Sequence, residues 1–356
     1  MPRPLRVRID LAALRHNHAV ARSLGGATRL WSVIKANAYG HGLGRVAAAL
    51  ADTADGFALI EVEGAVALRE AGLKQPILMM EGFYDTAEIA QFTIYGLTPV
   101  LHCLEQVRQW RAVENTRSLP VYLKLNTGMN RLGFDAGDFR VALEMLREKN
   151  TDITLMTHFS DADEPRGIAD QWSRFRAMTG GLDLPLCAAN SPALIRYPEA
   201  RVTWARPGIM LYGGSPFAAE QSAESLGLRP VMHLESRMLA IRTLQPGDRL
   251  GYGGAFVAER PMRIGIVAGG YGDGYPRHAS TGTPILVAGQ RTRTLGRVSM
   301  DKLFVDLTGI PGADLQSPVV LWGEGMPADD VAAAAGTVSY ELFCALAARV
   351  PVEESA

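Results

Sequence analysis

Short apolar runs alternate with longer amphipathic segments from residue 30 to about residue 212. Amphipathic segments such as EVEGAVALREAG and YDTAEIAQFTIYG end on Gly72 and Gly96, and a glycine at this place commonly stops a helix. Eight strands that alternate with helices predict an α/β fold, a (β/α)8 TIM-type barrel, in preference to an open sheet. No GxGxxG motif follows an early strand, which disfavours a dinucleotide-binding fold. The strand candidates are LWSVIKA, GFALIE, PILMME, LTPVL, PVYLKLN, ITLMTHF, LPLCAAN and TWARPGIMLYG.

After residue 225 the pattern changes to β-branched runs that are separated by Pro-Gly, Gly-Asp and Gly-Gln turns. Strands without intervening helices predict a separate, mainly β domain, which ends in a short helical tail. We therefore predict a barrel domain over residues 1–225 and a β-rich domain over residues 226–356. The opening LRVRIDL alternates like a strand, so residues 1–9 could pair with the C-terminal domain.

The composition excludes several classes of function. A net charge of −1 over 356 residues gives no electrostatic basis for binding nucleic acid or an anionic membrane surface. The N-terminus has no apolar region of signal-peptide length, and no later run approaches about 18 apolar residues, so we expect a cytoplasmic protein. Cys103, Cys187 and Cys344 lie far apart without metal-ligand spacing, which predicts neither a disulfide framework nor a metal site.

Polar side chains collect at the predicted strand ends. In a (β/α)8 barrel the chemistry lies at the C-terminal ends of the strands, where several side chains converge on one mouth. A barrel needs only apolar layers to fold, so a set with amines, an imidazole and a guanidinium indicates an anionic ligand that can engage an amine. Taken singly, each residue has an ordinary structural interpretation, as Asn190 and Ser191 have as helix N-cap residues. The set is Lys35, Glu61, Glu81, Lys124 with Asn126, His158, Asn190 with Ser191, and Arg206.

Lys35 directly follows the apolar run LWSVI. Burial of a lysine is costly unless the amine is paired or chemically engaged. The amine becomes a nucleophile when its pKa is lowered. Lys35 is therefore either a solvated lysine at a strand end or the centre of a site.

The β-rich domain supplies a second set of candidates in glycine-rich turns. GYGG places Tyr252 between glycines, and GGYGDGY contains Tyr271 and Tyr275. GRVSMD ends on Met300 and Asp301. Such turns are usually tight hairpins, but tyrosines held in them can approach a ligand closely.

Nine segments of the chain occur in the order expected of alanine racemases, and the chain resembles that family over about residues 1–352. Members of this family are fold type III enzymes that use pyridoxal 5′-phosphate (PLP). The resemblance implies an isomerase that interconverts L-alanine and D-alanine by a two-base mechanism, supplying D-alanine for peptidoglycan or feeding D-alanine catabolism. The segments are SVIKANAYGHG, KLNTGMNRLGF, THFSDAD, ANSPA, RPGIMLYG, GYGGAF, GGYGDGYPR, GRVSMD and SYELFCALAARVP.

The resemblance also implies catalytic roles. Lys35 would carry PLP as an imine and act as the base on one face of the substrate α-carbon. Tyr252 would be the base on the opposite face, contributed by the partner subunit of a head-to-tail homodimer. A free phenol is too basic to be mostly ionised near neutrality, so we predict that His158 polarises Tyr252 and that Arg206 holds His158. Arg206 would face the pyridine nitrogen and, being always protonated, leave that nitrogen without a proton.

Further residues would bind the cofactor and the substrate. Lys124 corresponds to a position that is often carbamylated in the family, where it positions an arginine. Asn126 stands where many relatives have aspartate, so the charge around Lys124 differs. By resemblance, His158, Asn190 and Arg206 would line the cofactor; Tyr39, Ser191, Gly208, Ile209 and Tyr340 would hold its phosphate; and Arg131 and the Met300 backbone, with Tyr271 and Asp301, would bind the substrate.

Three other functions are compatible with parts of this pattern. A PLP-dependent decarboxylase of the same barrel class would need room for a distal group, whereas a gate of Tyr252 and Met300 favours small side chains. A non-catalytic PLP carrier would have no use for residues 231–350. A Schiff-base aldolase without cofactor would lack the cofactor absorbance near roughly 420 nm.

Overall fold

The computed structural model describes residues 3–149 and 152–355. Residues 1, 2 and 356, where the predicted domains begin and end, lie outside the described residues. The predicted division at residue 225 stays a prediction. Within the described ranges, no helix is long and apolar enough to cross a membrane.

Two compact units make up the chain, and each contains its own set of strands. We call them the barrel unit and the sheet unit. The barrel unit is His18–Ala38 with Gly42–Leu211, and the sheet unit is Met1–Asn17 with Tyr39–His41 and Tyr212–Ala356.

Strands and helices are numbered here in chain order. The strands are β1 (Arg6–Asp10), β2 (Arg29–Val33), β3 (Gly56–Leu59), β4 (Ile77–Met79), β5 (Leu97–Leu101), β6 (Val121–Lys124), β7 (Ile153–Met156), β8 (Leu186–Asn190), β9 (Trp204–Arg206), β10 (Met232–Leu244), β11 (Arg249–Leu250), β12 (Phe256–Val257), β13 (Met262–Ala268), β14 (Pro284–Val287), β15 (Gln290–Leu295), β16 (Lys302–Asp306), β17 (Pro318–Trp322) and β18 (Val352–Ser355). The helices are α1 (Leu11–Gly25), α2 (Lys35–Tyr39), α3 (Leu43–Leu50), α4 (Val62–Glu70), α5 (Ile89–Tyr95), α6 (Leu104–Ala112), α7 (Ala136–Arg147), α8 (Ala169–Thr179), α9 (Ser191–Arg196), α10 (Ala328–Ala334) and α11 (Ser339–Cys344). Short 3-10 helices are Thr86–Glu88, Glu114–Thr116, Pro198–Ala200, Ile209–Tyr212, Glu224–Leu226, Tyr252–Gly254 and Tyr271–Asp273.

The barrel unit is a closed barrel of parallel strands in the order β2 to β9, with β9 paired back to β2. Every residue of β3, β4, β6 and β7 is buried. This is expected when side-chain layers fill the interior and helices cover the outside. At least one helix follows each strand from β2 to β8. The (β/α)8 fold class predicted from the sequence is thereby confirmed.

Each of the eight predicted apolar runs overlaps one barrel strand, but some strands end earlier than the run. β2 ends at Val33, so Lys35 lies just beyond the strand. β9 ends at Arg206, and Ile209–Tyr212, which belonged to the predicted strand run, is a 3-10 helix. Pro207 explains this second difference, because proline has no N–H with which to continue a ladder.

The sheet unit is an eight-stranded, mostly antiparallel sheet in the order β13, β16, β15, β14, β17, β10, β1, β18. The long strand β10 pairs with β17 over Leu234–Arg237 and with β13 over Met238–Leu244. The pairings of β10, β13, β16, β15, β14 and β17 therefore close into a circuit. β1 lies between β10, to which it is antiparallel, and β18, to which it is parallel. The mainly β character predicted for this part of the chain is confirmed.

Candidate active site

Arg206, the last residue of β9, is only 5 % exposed. Its NH2 group donates to the carbonyl oxygens of Thr157 (2.7 Å) and Ala188 (3.1 Å). Its NH1 group donates to the sulfur of Cys187 at 2.9 Å. Burial of a charge is costly without such partners. The neutral acceptors on and beside β7 and β8 therefore fix the guanidinium at the end of the barrel.

His158, two residues beyond β7, is joined to the same guanidinium. NH2 of Arg206 lies 3.3 Å from Nδ1 of His158. Arginine can only donate, so Nδ1 is the acceptor and the proton of the neutral ring lies on Nε2. Burial first, and then the charge of Arg206, lowers the pKa of His158 well below its ordinary value. The structure thus brings these two predicted residues together and keeps the imidazole neutral.

Lys124, the last residue of β6, is 8 % exposed. Burial is the main reason that its pKa falls to about 8. The charges of Arg206 and Arg131 lower it further, and the carboxylate of Glu81 opposes them. Lys124, Arg131 and His158 line one small cavity. The predicted site residues of β6, β7 and β9 therefore lie close together in the barrel unit.

Asn126, which stands where aspartate was expected by resemblance, organises the loop that leads to Arg131. Its Oδ1 accepts hydrogen bonds from the backbone N–H groups of Gly128 (3.1 Å) and Asn130 (3.0 Å). Its Nδ2 donates to Oδ1 of Asn130 at 2.9 Å. An aspartate would lack this donor, so the amide fits the loop of this chain.

Lys35 is partly buried and opens a left-handed turn. Ala36, Asn37 and Ala38 have φ values of 52°, 52° and 54°. Each non-glycine residue in this conformation costs roughly 1–2 kcal/mol. Asn37 secures the turn, because its carbonyl accepts from Gly42 N (2.9 Å) and its Oδ1 from Leu43 N (2.8 Å). Such local strain is typical of functional sites.

The charge of Lys35 acts on its neighbours in the barrel unit. It contributes to lowering the pKa of both Lys124 and His158. Lys35, Lys124, Arg131 and Arg206 thus act together as a positive region, which Glu81 only partly offsets.

Asn190 and Ser191 begin α9, as predicted for N-cap residues. Oδ1 of Asn190 accepts from Ala193 N at 3.2 Å. Its Nδ2 donates to the carbonyl of Phe159 at 3.1 Å. Ser191 is buried, and its Oγ accepts from Gly208 N at 2.8 Å. The N–H of Gly208, a predicted phosphate ligand, is therefore held beside Ser191, and the next residue, Ile209, is buried as well.

Tyr39 and Tyr340, the two tyrosines predicted to hold a phosphate, lie together in the sheet unit. Their ring centroids are 5.8 Å apart, and Tyr39 stacks on Tyr212 at 4.8 Å. Burial raises the pKa of the Tyr39 phenol above its ordinary value. Both Tyr39 and Tyr212 thus stay protonated near neutrality, and Tyr39 keeps an O–H donor.

Tyr252, Met300 and Asp301 line one cavity of the sheet unit. Its other lining residues are Gly251, Ser299, Lys302 and Phe304. Tyr252 is 71 % exposed and Met300 52 % exposed. The cavity therefore presents a phenol beside a backbone segment that can donate and accept hydrogen bonds.

Asp273 is a site feature that the sequence interpretation missed. It lies in the same turn as Tyr271 and is bound by Arg3 and Arg349, which come from opposite ends of the chain. The GGYGDGY motif contained it, but only its tyrosines were singled out. No local pattern could reveal partners so far away along the chain.

The barrel unit has the chemistry that a phosphorylated aldehyde requires. The amine of Lys35 can engage a carbonyl carbon, and the surrounding excess of positive charge suits a phosphate. No group of three or more histidine, cysteine or acidic side chains that could hold a metal ion occurs in the part of the chain that the structure describes. The amine of Lys35 and the positive charge around it fit PLP.

Comparisons with known proteins cover nearly the whole chain. The family models described as alanine racemase, N-terminal domain, and alanine racemase, C-terminal domain, match residues 9–216 and 231–354. Alanine racemase of Nitrosospira multiformis is 54 % identical over 98 % of this chain and 99 % of its own length. The catabolic alanine racemase of Salmonella typhimurium is 47 % identical over 99 % of each.

Solved structures agree with these matches. Biosynthetic alanine racemase from Pseudomonas aeruginosa has a TM-score of 0.96 at 42 % identity and covers 99 % of this chain and 100 % of that one. Alanine racemase from Bartonella henselae, solved with covalently bound pyridoxal phosphate, has a TM-score of 0.90 at 25 % identity over 99 % and 100 %.

We expect the His158 ring to stay neutral, with its proton on Nε2, as the pH falls through the ordinary range of histidine titration. The physical reason is its burial beside Arg206 and the bond that occupies Nδ1. Nitrogen-15 NMR of histidine-labelled protein measures the tautomer directly. A titration of His158 with a midpoint near pH 6.5 would contradict this assignment.

We expect Lys124→Met to raise the free energy of unfolding at pH 7 by about 2 kcal/mol. The folded-state pKa of about 8 lies below the ordinary 10.5, so the unfolded chain binds the proton more tightly. Wild-type stability therefore rises between these two pH values, and the advantage of the variant shrinks there. Urea unfolding in buffer free of carbon dioxide measures the difference. Lys74→Met, at an exposed position, is the matched control for the loss of one positive charge; an equal gain in both variants would contradict the prediction.

Proposed function

Because the chain belongs to the alanine racemase family, we propose that it interconverts L-alanine and D-alanine with PLP, using Lys35 and Tyr252 as bases on opposite faces of the substrate. Membership of this family makes it a PLP-dependent isomerase. The observation that carries the assignment of residues is the neutral ring of His158, held by Arg206 in the same barrel unit as Lys35. A neutral imidazole with its proton on Nε2 can donate a hydrogen bond from that nitrogen. Such a donor suits the activation of a phenol.

When bound, PLP supplies an electron sink for the negative charge that develops at the substrate α-carbon. Lys35 holds the cofactor through its amine, which removes the cost of keeping a charged lysine partly buried. His158, Asn190 and Arg206 would line the cofactor ring. Its phosphate would be held by Tyr39, Ser191, Gly208, Ile209 and Tyr340. The excess of positive charge in the barrel unit supports this arrangement.

Two bases on opposite faces of the substrate can invert the configuration of the α-carbon, because one removes a proton and the other delivers a proton to the opposite face. Nζ of Lys35 takes or returns the proton on one face, and the phenolic oxygen of the partner's Tyr252 does so on the other. A phenol with a pKa near 10 is too basic to be ionised near neutrality, and efficient bases have a pKa near the working pH. Arg206 occupies Nδ1 of His158, so Nε2–H is the donor that bonds the phenolate and lowers the phenol pKa.

The substrate carboxylate is oriented by Arg131 and the Met300 backbone, with Tyr271 and Asp301 beside them. Carbamylation of Lys124 would place a negative charge next to Arg131 and hold its guanidinium for the substrate. The lowered pKa of Lys124 supports this step, because only the neutral amine reacts with carbon dioxide. Lys124 is then a positioning residue.

The working unit is a homodimer with shared sites, located in the cytoplasm. The exposed Tyr252 and Met300 support a dimer, since each is available to a partner. We also retain the domain division at residue 225. The enzyme either supplies D-alanine for peptidoglycan or feeds D-alanine catabolism.

Purified enzyme with PLP is expected to absorb near roughly 420 nm and to convert L-alanine to D-alanine in D2O with deuterium at the α-carbon. Deuterium enters because the second base carries a solvent-derived proton. Chiral chromatography with mass spectrometry measures both results. In Tyr252→Phe, the primary isotope effects of the two directions should change unequally, since one face has lost its base. The absence of both D-alanine and deuterium incorporation would contradict the proposal. Release of carbon dioxide would indicate a decarboxylase.

Mixing Lys35→Ala subunits with Tyr252→Phe subunits, each variant alone having at most a small residual activity, should restore about a quarter of wild-type activity. Half of the dimers are then mixed, and each mixed dimer has one intact site out of two. Steady-state racemisation after subunit exchange measures the recovery. Each variant mixed with itself is the control, and a mixture with no more activity than these controls would show that the sites are not shared.

A further inference from the structure

Asp273 carries a carboxylate that is 0 % exposed, at the end of the turn Tyr271–Asp273 in the sheet unit. Arg3 donates to both of its oxygens, with NH2 at 2.6 Å from Oδ2. Arg349 donates from Nε to Oδ1 at 2.8 Å. Gly270 N adds a bond of 2.9 Å to Oδ2. A buried carboxylate thus ties two segments from opposite ends of the chain to one glycine-rich turn.

The same arginines also bind the segment Ser299–Asp301. NH2 of Arg3 donates to the carbonyl of Asp301 at 3.1 Å. NH2 of Arg349 donates to Oδ1 of Asp301 at 2.7 Å and to the carbonyl of Met300 at 3.4 Å. Asp273 therefore holds two guanidinium groups that in turn hold the backbone around Met300.

The turn and this segment are also joined directly. Tyr271 N donates to the carbonyl of Ser299 (3.1 Å), and Gly272 N donates to that of Met300 (2.9 Å). A Cβ added at Gly270 would lie 2.2 Å from the Ser299 oxygen. The two backbones therefore pack directly against each other.

Ser299, Met300 and Asp301 also form part of the wall of the Tyr252 cavity. We propose that Asp273 is a positioning residue for substrate binding: through Arg3 and Arg349 it fixes the Met300 backbone beside Tyr252. This inference rests on the function proposed above, in which the Met300 backbone binds the substrate carboxylate. Asp273 does not line the cavity, and it acts only through the groups that it holds.

The charge of Asp273 is what makes it suited to this role. Burial alone would raise its pKa, but the hydrogen bonds and charge of Arg3, with those from Gly270 and Arg349, outweigh burial and lower the pKa. Asp273→Asn keeps the shape of the side chain but leaves two guanidinium groups without their shared carboxylate. We expect this loss to destabilise the Met300 segment, because the two guanidinium groups that bind it are then no longer held by the carboxylate.

The experiment compares Asp273→Asn with Asp306→Asn in the holoenzyme. Asp306 is also a buried carboxylate of the sheet unit, and its Oδ2 accepts from Nε and NH2 of Arg293 at 3.3 Å. Asp306 does not line the Tyr252 cavity. It therefore reports the effect of the same chemical change on stability alone.

Asp273→Asn should raise KM for alanine by about tenfold while kcat falls less than about threefold. Asp306→Asn should lower the Tm comparably but leave KM within about twofold. Hydrogen exchange followed by mass spectrometry should show faster exchange in residues 269–275 and 299–302 of Asp273→Asn only. If KM and exchange in these segments match the control, Asp273 is merely structural and the inference is wrong.

Arg349→Gln keeps the inference testable if Asp273→Asn does not fold, because the Arg349 side chain is 44 % exposed. KM should rise by about threefold and exchange in residues 299–302 should increase, with part of both effects reversed in Arg349→Lys. Unchanged KM and unchanged exchange would overturn the inference. If the wild-type enzyme does not racemise alanine, the proposed function fails, and the exchange comparison alone then decides whether Asp273 fixes the Met300 segment.

Discussion

The rest of the barrel site depends on the hydrogen bonds that hold the guanidinium of Arg206. It is buried, and the carbonyls of Thr157 and Ala188, the sulfur of Cys187 and Nδ1 of His158 satisfy it. Because arginine cannot give up its proton, a permanent positive charge stands at this point. That charge selects the tautomer of His158. After burial, it is the largest cause that lowers the pKa of His158 and of Lys124.

In the sheet unit, exposed residues of the proposed site are supported by hydrogen bonds to a buried carboxylate. Tyr252 and Met300 are exposed, and exposed turns are usually mobile. Glycine allows the turn at residues 269–275 to lie against the Met300 backbone. Arg3 and Arg349, which bind the buried carboxylate of Asp273, also donate to the carbonyls of Asp301 and Met300 and so connect the two segments.

The sequence predicted the barrel well because its strands are buried on both faces, and continuous apolar runs are the direct result. β18 was missed, because its residues VEES are polar and it is held by backbone pairing with β1. The left-handed turn after Lys35 could not be predicted from Ala36 or Ala38, because alanine does not favour that conformation. Candidate site residues at strand ends could be predicted from topology, whereas Asp273 could not, since its partners are remote in sequence. Roles such as that of Tyr252 came from the family resemblance and not from the residues alone.

The position of β1 between β10 and β18 determines when β1 can pair with its neighbours during translation. The barrel strands have all been synthesised once Arg206 has been made. Strand β1, although synthesised first, has no neighbour until Met232–Glu235 follows, and it gains its second neighbour only with Val352–Ser355. Throughout that interval the nascent chain carries an open strand edge, the kind of surface that invites aggregation and that chaperones shield.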